Sequence, residues 1–142
     1  MPSTQFADTP LARSRIMRAI RSKDTTPEMI VRRTVHRLGY RYRLHCRQLP
    51  GRPDLVFASR RRIIFVHGCF WHGHQCKGGW HAPSVNTEFW ALKIARNRQR
   101  DKVVAAALEG LGWRLLVIRE CETKDREALA ERLKAFLTAP AT

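Results

Sequence analysis

RIIFVHGCFWHGHQC, residues 62–76, is the stretch on which the reading of this chain turns. Ile63 to Val66 is a short continuous apolar run of strand type. It empties directly into Cys69, His72, His74 and Cys76, with Phe70 and Trp71 between them. A strand ending in thiols, imidazoles and large rings reads as the edge of an active site rather than as a plain turn. Just upstream, Pro53-Asp54 opens another apolar run reaching Ala58, and Ser59-Arg60-Arg61 joins the two runs as a hairpin. That hairpin brings a carboxylate to the strand beside the histidines. On a basic chain the combination points to phosphodiester chemistry on nucleic acid.

The totals agree with a polyanionic partner. Lys and Arg number 27 against 12 Asp and Glu, a net charge of +15 that exceeds what solubility requires. Acidic membranes and ribosomes also attract such charge, and charge alone does not choose between DNA and RNA. No run approaches the roughly 20 apolar residues of a membrane span, and the N-terminus has no secretory apolar region. The expected place is the cytoplasm, in association with the nucleoid. In a reducing compartment four cysteines interleaved with histidines read as metal ligands first and as disulfides a distant second.

Working outward, Tyr40 to Arg47 alternates loosely as a further strand, turning at Leu49-Pro50-Gly51. Before it, Thr26 as cap and Pro27 as first helical residue begin a helix on Met29, Ile30, Val31, Val35 and Leu38 that stops at Gly39. Glu28 sits in its first turn, where a carboxylate is favoured whatever its role. Residues 1–9 read as a flexible arm. Thr9-Pro10 starts a short basic amphipathic helix with Ile16, Met17 and Ile20 on one side. Its arginines, Arg13 and Arg18 among them, are either phosphate contacts or an ordinary solvated face.

On the other side of the central stretch, residues 77–86 form a loop. Asn86 or Thr87 caps a long helix to about Leu108, with Gly110 and Gly112 beyond it. One side of this helix carries Phe89, Leu92, Val103, Ala107 and Leu108; another carries Lys93, Arg96, Asn97 and Arg100 as a basic stripe. Trp113 to Ile118 is an apolar strand leading to Cys121, and Asp125 to Leu137 is a closing helix. The economical packing is one α/β domain over residues 1–142, a mixed central sheet flanked by helices.

Cys69, His74 and Cys76 supply three metal donors from one loop, and Cys121 a fourth from the end of another strand. A closed Cys3His set suits structural Zn2+ and leaves no place for a reactive water. The competing reading is four unrelated residues, with Cys121 a buried core thiol. Asp54 is a candidate Mg2+ ligand, or simply a strand that happens to begin with Asp. His72 is left over from the zinc set. With His67 it suits proton transfer and charge stabilisation at a phosphate; a buried structural histidine is the lesser alternative for His67. Phe70, Trp71 and Trp90 are either core rings or wedges that unstack and kink a duplex.

The segments PGRPDLVF, IIFVHGCFWHGHQC, NTEFW and LGWRLLVIREC, in this order and at these separations, resemble the very-short-patch-repair mismatch endonucleases from about Arg15 to the last helix. The resemblance implies a restriction-endonuclease-like fold. It also implies a nuclease that nicks double-stranded DNA 5′ to the thymine of a T:G mismatch left by deaminated 5-methylcytosine, leaving a 5′-phosphate and a 3′-hydroxyl. A repair polymerase and ligase would follow, and a monomer fits a single nick.

Carried over by position, Asp54 would bind Mg2+ with the backbone carbonyl of Val66, which stands where a threonine is familiar. His67 and His72 would lie at the phosphate, supported by Glu28 through water or a histidine. Cys69, His74, Cys76 and Cys121 would hold zinc, and Phe70, Trp71 and Trp90 would form the wedge. Arg13 and Arg18, with Lys93, Arg96 and Arg100, are the backbone contacts expected from the basic helices. IIFVH lacks the Glu-x-Lys common in related nuclease folds, and Gly73 and Gln75 thin a run richer in histidine elsewhere. A same-fold nicking nuclease of different specificity and a non-catalytic, zinc-stapled DNA-binding protein are the alternatives.

Overall fold

The computed structural model describes residues 25–77 and 79–140. The N-terminal arm and the basic helix with Arg13 and Arg18 lie outside the described residues. The first described helix, α1 (Thr26–Arg37), is capped by Thr25, whose hydroxyl accepts from the Glu28 N–H at 3.3 Å. The cap thus lies one residue earlier than the sequence suggests. Pro27 is tolerated in the first turn, where its missing N–H has no intrahelical partner to lose. Leu38 closes the helix and Gly39 follows at φ +94°.

Four strands form one sheet in the order β1 (Arg43–Leu44), β2 (Leu55–Phe57), β3 (Arg62–His67) and β4 (Arg114–Arg119). The first three are antiparallel; β3 and β4 are parallel, pairing Ile63 with Leu115 and His67 with Arg119. The mixed sheet is as expected. The strand read over 40–47, however, shrinks to two residues, because His45 turns into the left-handed region at φ +46° and ends the extended run. The expected hairpin closes through a 3-10 turn at Ala58–Arg60 and Arg61 at φ +57°.

Both faces of the sheet are covered, which explains why β3 is apolar throughout rather than alternating. On one face Leu55, Phe57, Ile64 and Ile118 pack with Val31 and Val35 of α1 and Leu129, Leu133 and Leu137 of α3 (Arg126–Thr138). On the other, Val56, Ile63 and Phe65 pack with Trp113 and with Leu108 of α2 (Thr87–Gly110). Arg62, 2% exposed, reaches back to donate to the Arg60, Ala139 and Pro140 carbonyls and so ties the start of β3 to the chain after α3.

The long helix departs from its sequence reading. Phe89, Leu92 and Val103 are exposed, and Ile94 and Leu108 are its buried residues. Length is the reason: 24 helical residues span about 36 Å, whereas the six-residue strands reach about 20 Å. Much of α2 therefore has no sheet beneath it. No described helix is long and apolar enough to cross a membrane.

Candidate active site and metal cluster

A cleft of about 360 Å3 opens at the end of β3 and is lined by His45, Asp54, Val66, His67, His72 and Asp101, among others. The antiparallel ladder sets Asp54, just ahead of β2, across from Val66, whose N–H donates to Asp54 Oδ2 at 2.7 Å. Burial pushes the Asp54 carboxyl up to about 6; the Val66 hydrogen bond opposes this, and the neighbouring Glu28 adds to it. The Val66 side chain packs against the core of α1 and α3. The contact with Asp54 is thus made by the backbone, and the Val66 side chain takes no part in that hydrogen bond.

His67 ends β3, and the turn that follows folds His72 back over it. The two imidazoles are stacked, with centroids 3.7 Å apart and planes 4° from parallel. Burial, reinforced by His72, holds the His67 imidazole down at about 4, so this ring is neutral near physiological pH. His72 Nδ1 lies 2.7 Å from Asp101 Oδ2 on α2. The carboxylate fixes the ring and favours a proton on Nδ1, leaving Nε2 to accept one. Glu28 is 2% exposed, and its Oε2 lies 2.7 Å from His45 Nε2 and 3.5 Å from Arg32. Asp54, His67 and His72 thus line one cleft, and Glu28 reaches it through His45.

The turn that carries His72 also carries most of a second cluster, its residues interleaved with the histidines of the cleft. Ligating atoms of Cys69, His74, Cys76 and Cys121 all lie within 4.8 Å of one another. The first three come from the turn after β3; Cys121 comes from the 3-10 turn after β4, which the parallel pairing of β3 and β4 delivers to the same end of the sheet. The Cys121 Sγ to His74 Nδ1 separation is 3.7 Å, close to the edge of about 3.5 Å that a tetrahedral zinc site imposes. The donor set and the spacing fit zinc. Burial pushes the Cys69 thiol up to about 12, a cost that a bound cation would remove. Gly79 is required by the wrapping loop, since a Cβ there would overlap the His74 carbonyl oxygen and stand 2.9 Å from Cys76 Sγ. Cys46 is placed elsewhere, beside Gln48.

Along the chain, Phe70 and Trp71 stand between Cys69 and His72, and they gather further rings around them. Phe70 is surrounded by Trp71, Trp80 and Trp90 at centroid distances of 5.1, 5.3 and 5.7 Å, and Trp71 and Trp90 lie 5.7 Å apart. None of these rings is fully buried, so they form a half-exposed platform rather than a core. Asn97 Nδ2 donates to the Trp71 carbonyl at 2.8 Å and pins the platform to α2. Lys93, Arg96 and Arg100 are exposed along the same helix, and Arg100 lines the cleft.

His45, Asp101 and Trp80 escape a reading of the sequence. His45 and Trp80 sit in irregular segments, and Asp101 resembles any solvated helix charge amid Arg98, Arg100 and Lys102. Spacing offered one clue, as Asp101 follows Asn97 and Arg100 on the side of α2 already marked as basic.

Comparison with known proteins gives a consistent picture. The family model described as DNA mismatch endonuclease Vsr matches residues 7–78. Type II nicking enzyme V.XorIIP of Xanthomonas oryzae pv. oryzae is 49% identical over 90% of this chain and 93% of its own. Type II nicking enzyme V.NmeAIP of Neisseria meningitidis is 42% identical over 88% and 89%. DNA mismatch endonuclease Vsr of Escherichia coli is 42% identical over 88% and 83%.

Proposed function

The chain belongs to the DNA mismatch endonuclease Vsr family, and from that premise we propose that it is a magnesium-dependent, zinc-stabilised endonuclease that nicks one strand of mismatched DNA. The bond broken is the phosphodiester 5′ to the thymine of a T:G mismatch, and the products are a 5′-phosphate and a 3′-hydroxyl. The observation that carries this reading is the convergence of Asp54, His67 and the His72–Asp101 pair on one cleft beside the ring platform. Phosphate binding alone needs positive charge and has no use for Asp54, which disfavours a non-catalytic DNA-binding protein.

Asp54 and the Val66 carbonyl would hold the magnesium ion, which when bound acidifies a water and offsets charge on the phosphate. His72 Nε2, with Nδ1 held by Asp101, is set to accept the water proton. His67, kept neutral, contributes a hydrogen bond to the phosphate rather than a second cation, and Glu28 supports the site from beneath through His45. Cys69, His74, Cys76 and Cys121 would hold zinc in a structural role, stiffening the platform from behind. Phe70, Trp71 and Trp90 would enter the stack beside the mismatch, where unstacking costs least. Lys93, Arg96 and Arg100, with Arg13 and Arg18 of the N-terminal segment, would contact the DNA backbone. The mixed sheet, with its antiparallel hairpin feeding a parallel fourth strand, supports a restriction-endonuclease-like fold. A monomer suffices for one nick. The protein would work in the cytoplasm at the nucleoid and hand the opened strand to a repair polymerase and ligase. The nicking enzymes among the relatives favour, as a second reading, the same chemistry in another sequence context.

Single-turnover cleavage with Mg2+ of T:G and T:A duplexes, each strand labelled in turn, tests this. Cleavage confined to the thymine strand of T:G is expected, and Asp54→Ala should abolish it while DNA binding persists. Equal cleavage of matched duplex would move the specificity to the second reading, and normal nicking by Asp54→Ala would overturn the metal assignment.

A further inference from the structure

Three side chains from separate elements meet at one end of the cleft: Glu28 of α1, His45 just after β1, and Asp54 just before β2. One ligating atom from each lies within 4.8 Å of the other two. The backbone enforces this, because the His45 N–H donates to the Asp54 carbonyl at 3.1 Å, continuing the ladder that pairs Leu44 with Leu55. His45 and Asp54 both line the cleft, so the group is reached from the side on which substrate would lie, while Glu28 closes it from within at 2% exposure.

Two carboxylates and an imidazole differ from an all-oxygen magnesium shell and from the thiolate-rich zinc set. Carboxylate oxygens suit Mg2+ and Mn2+ alike, and the imidazole adds a donor favoured by first-row transition ions. The 2.7 Å between Glu28 Oε2 and His45 Nε2 is near the roughly 3 Å kept by adjacent ligands of an octahedral ion with bonds of about 2.1 Å. A small opening would therefore admit one. His67, His72 and Asp101 make a less suitable set: their two rings are parallel, so the in-plane lone pairs of the imidazoles run side by side and do not converge on a point.

We propose that Glu28, His45 and Asp54 form a second divalent-cation site of mixed nitrogen and oxygen donors that takes Mn2+ in preference to Mg2+. The inference rests on the reading of Asp54 as a metal-binding carboxylate, which the two sites would share. His45 supplies the nitrogen and hence the preference. The opposing arrangement is a polar pairing in which His45 and Arg32 balance the Glu28 carboxylate.

The test uses the full-length, zinc-loaded protein without DNA, titrated with Mn2+ and followed by pulsed electron paramagnetic resonance for coupling to an imidazole nitrogen. Wild type should show that coupling, and His67→Ala should keep it. His45→Ala should lose it, with Mn2+ affinity reduced about tenfold, and His45→Gln provides the same readout should the alanine variant misfold. Bound manganese without nitrogen coupling, or coupling that survives both His45 substitutions, would leave only the polar pairing. Mg2+-supported nicking of a T:G duplex by the same preparation separates the two readings. Nicking without nitrogen coupling removes this site alone; coupling without nicking removes the proposed reaction and keeps the site.

Discussion

Asp54→Asn and His67→Asn should tilt stability against pH in opposite directions. Burial in the cleft raises the Asp54 carboxyl from its ordinary 3.8 to about 6 and lowers the His67 imidazole from 6.5 to about 4. Between those values the folded chain keeps a proton on Asp54 that the unfolded chain releases, so this contribution falls as pH rises. At His67 the unfolded chain binds a proton that the folded chain refuses, so this contribution rises with pH across its own window. The windows overlap and the slopes oppose, which makes the pair nearly silent in wild type. Each shift, at about 1.4 kcal/mol per pH unit, amounts to about 3 kcal/mol. Water in the open cleft and relaxation around it should halve that to about 1.5 kcal/mol. Relative to wild type, Asp54→Asn should gain roughly this amount from about pH 4 to about pH 6.5, and His67→Asn should lose it. Urea unfolding without added divalent ions, at steps across that range, reads the differences; any acid loss of metal from the thiolate cluster is common to all three proteins and cancels. Variants whose stabilities run parallel to wild type would refute the idea that burial in this cleft sets both groups.

Asp101→Asn, which keeps the shape but not the charge facing His72, should lower single-turnover nicking by about 10²-fold or more while leaving Kd for DNA unchanged; an unaltered rate would show that His72 works without it. Gly79→Ala should lose metal and stability, because the new methyl group meets a backbone carbonyl rather than a movable side chain. The cost is about 3 kcal/mol, a fall in Tm of several degrees, read by thermal melts with metal analysis; full metal content at an unchanged Tm would contradict the packing. Cys121→Ser should reduce bound zinc below one equivalent and make what remains easier to chelate, as elemental analysis with and without a competing chelator would record.

The sequence made most legible what lies close together along the chain. The β2–β3 hairpin, the donors Cys69, His74 and Cys76, and the placement of Asp54 beside β3 all follow from local pattern and strand pairing. Cys121 could be joined to them only by supposing that its strand ends beside β3, and the parallel register supplies that. What stayed hidden depends on distance. His45 faces Glu28 only because a two-residue strand and a left-handed turn swing it there, and no periodicity encodes such a turn. Asp101 acquires meaning only when α2 lies against the turn carrying His72. The apolar side assigned to α2 failed for a related reason: Phe89, Leu92 and Val103 have helical spacing, but spacing cannot reveal that the sheet is shorter than the helix. Arg62 defied the rule that arginine stays outside, because backbone carbonyls after α3 happen to reach it.

His74 and Cys121, which meet at 3.7 Å, lie 47 residues apart in sequence. Closing a flexible loop of that length costs about 3 kcal/mol before any contact repays it. A cation caught early by Cys69, His74 and Cys76 would wait with one position unfilled until α2 had been laid down and β4 had paired with β3. The same two events bring Asp101 to His72 and roof the cleft. Completion of the Cys69, His74, Cys76 and Cys121 cluster therefore coincides with assembly of the proposed active site. If the rings act as the proposed wedge, a half-assembled chain with its rings still loose would be a poor tool for prying open DNA, and the genome would be spared a wedge that arrives before the machinery to use it.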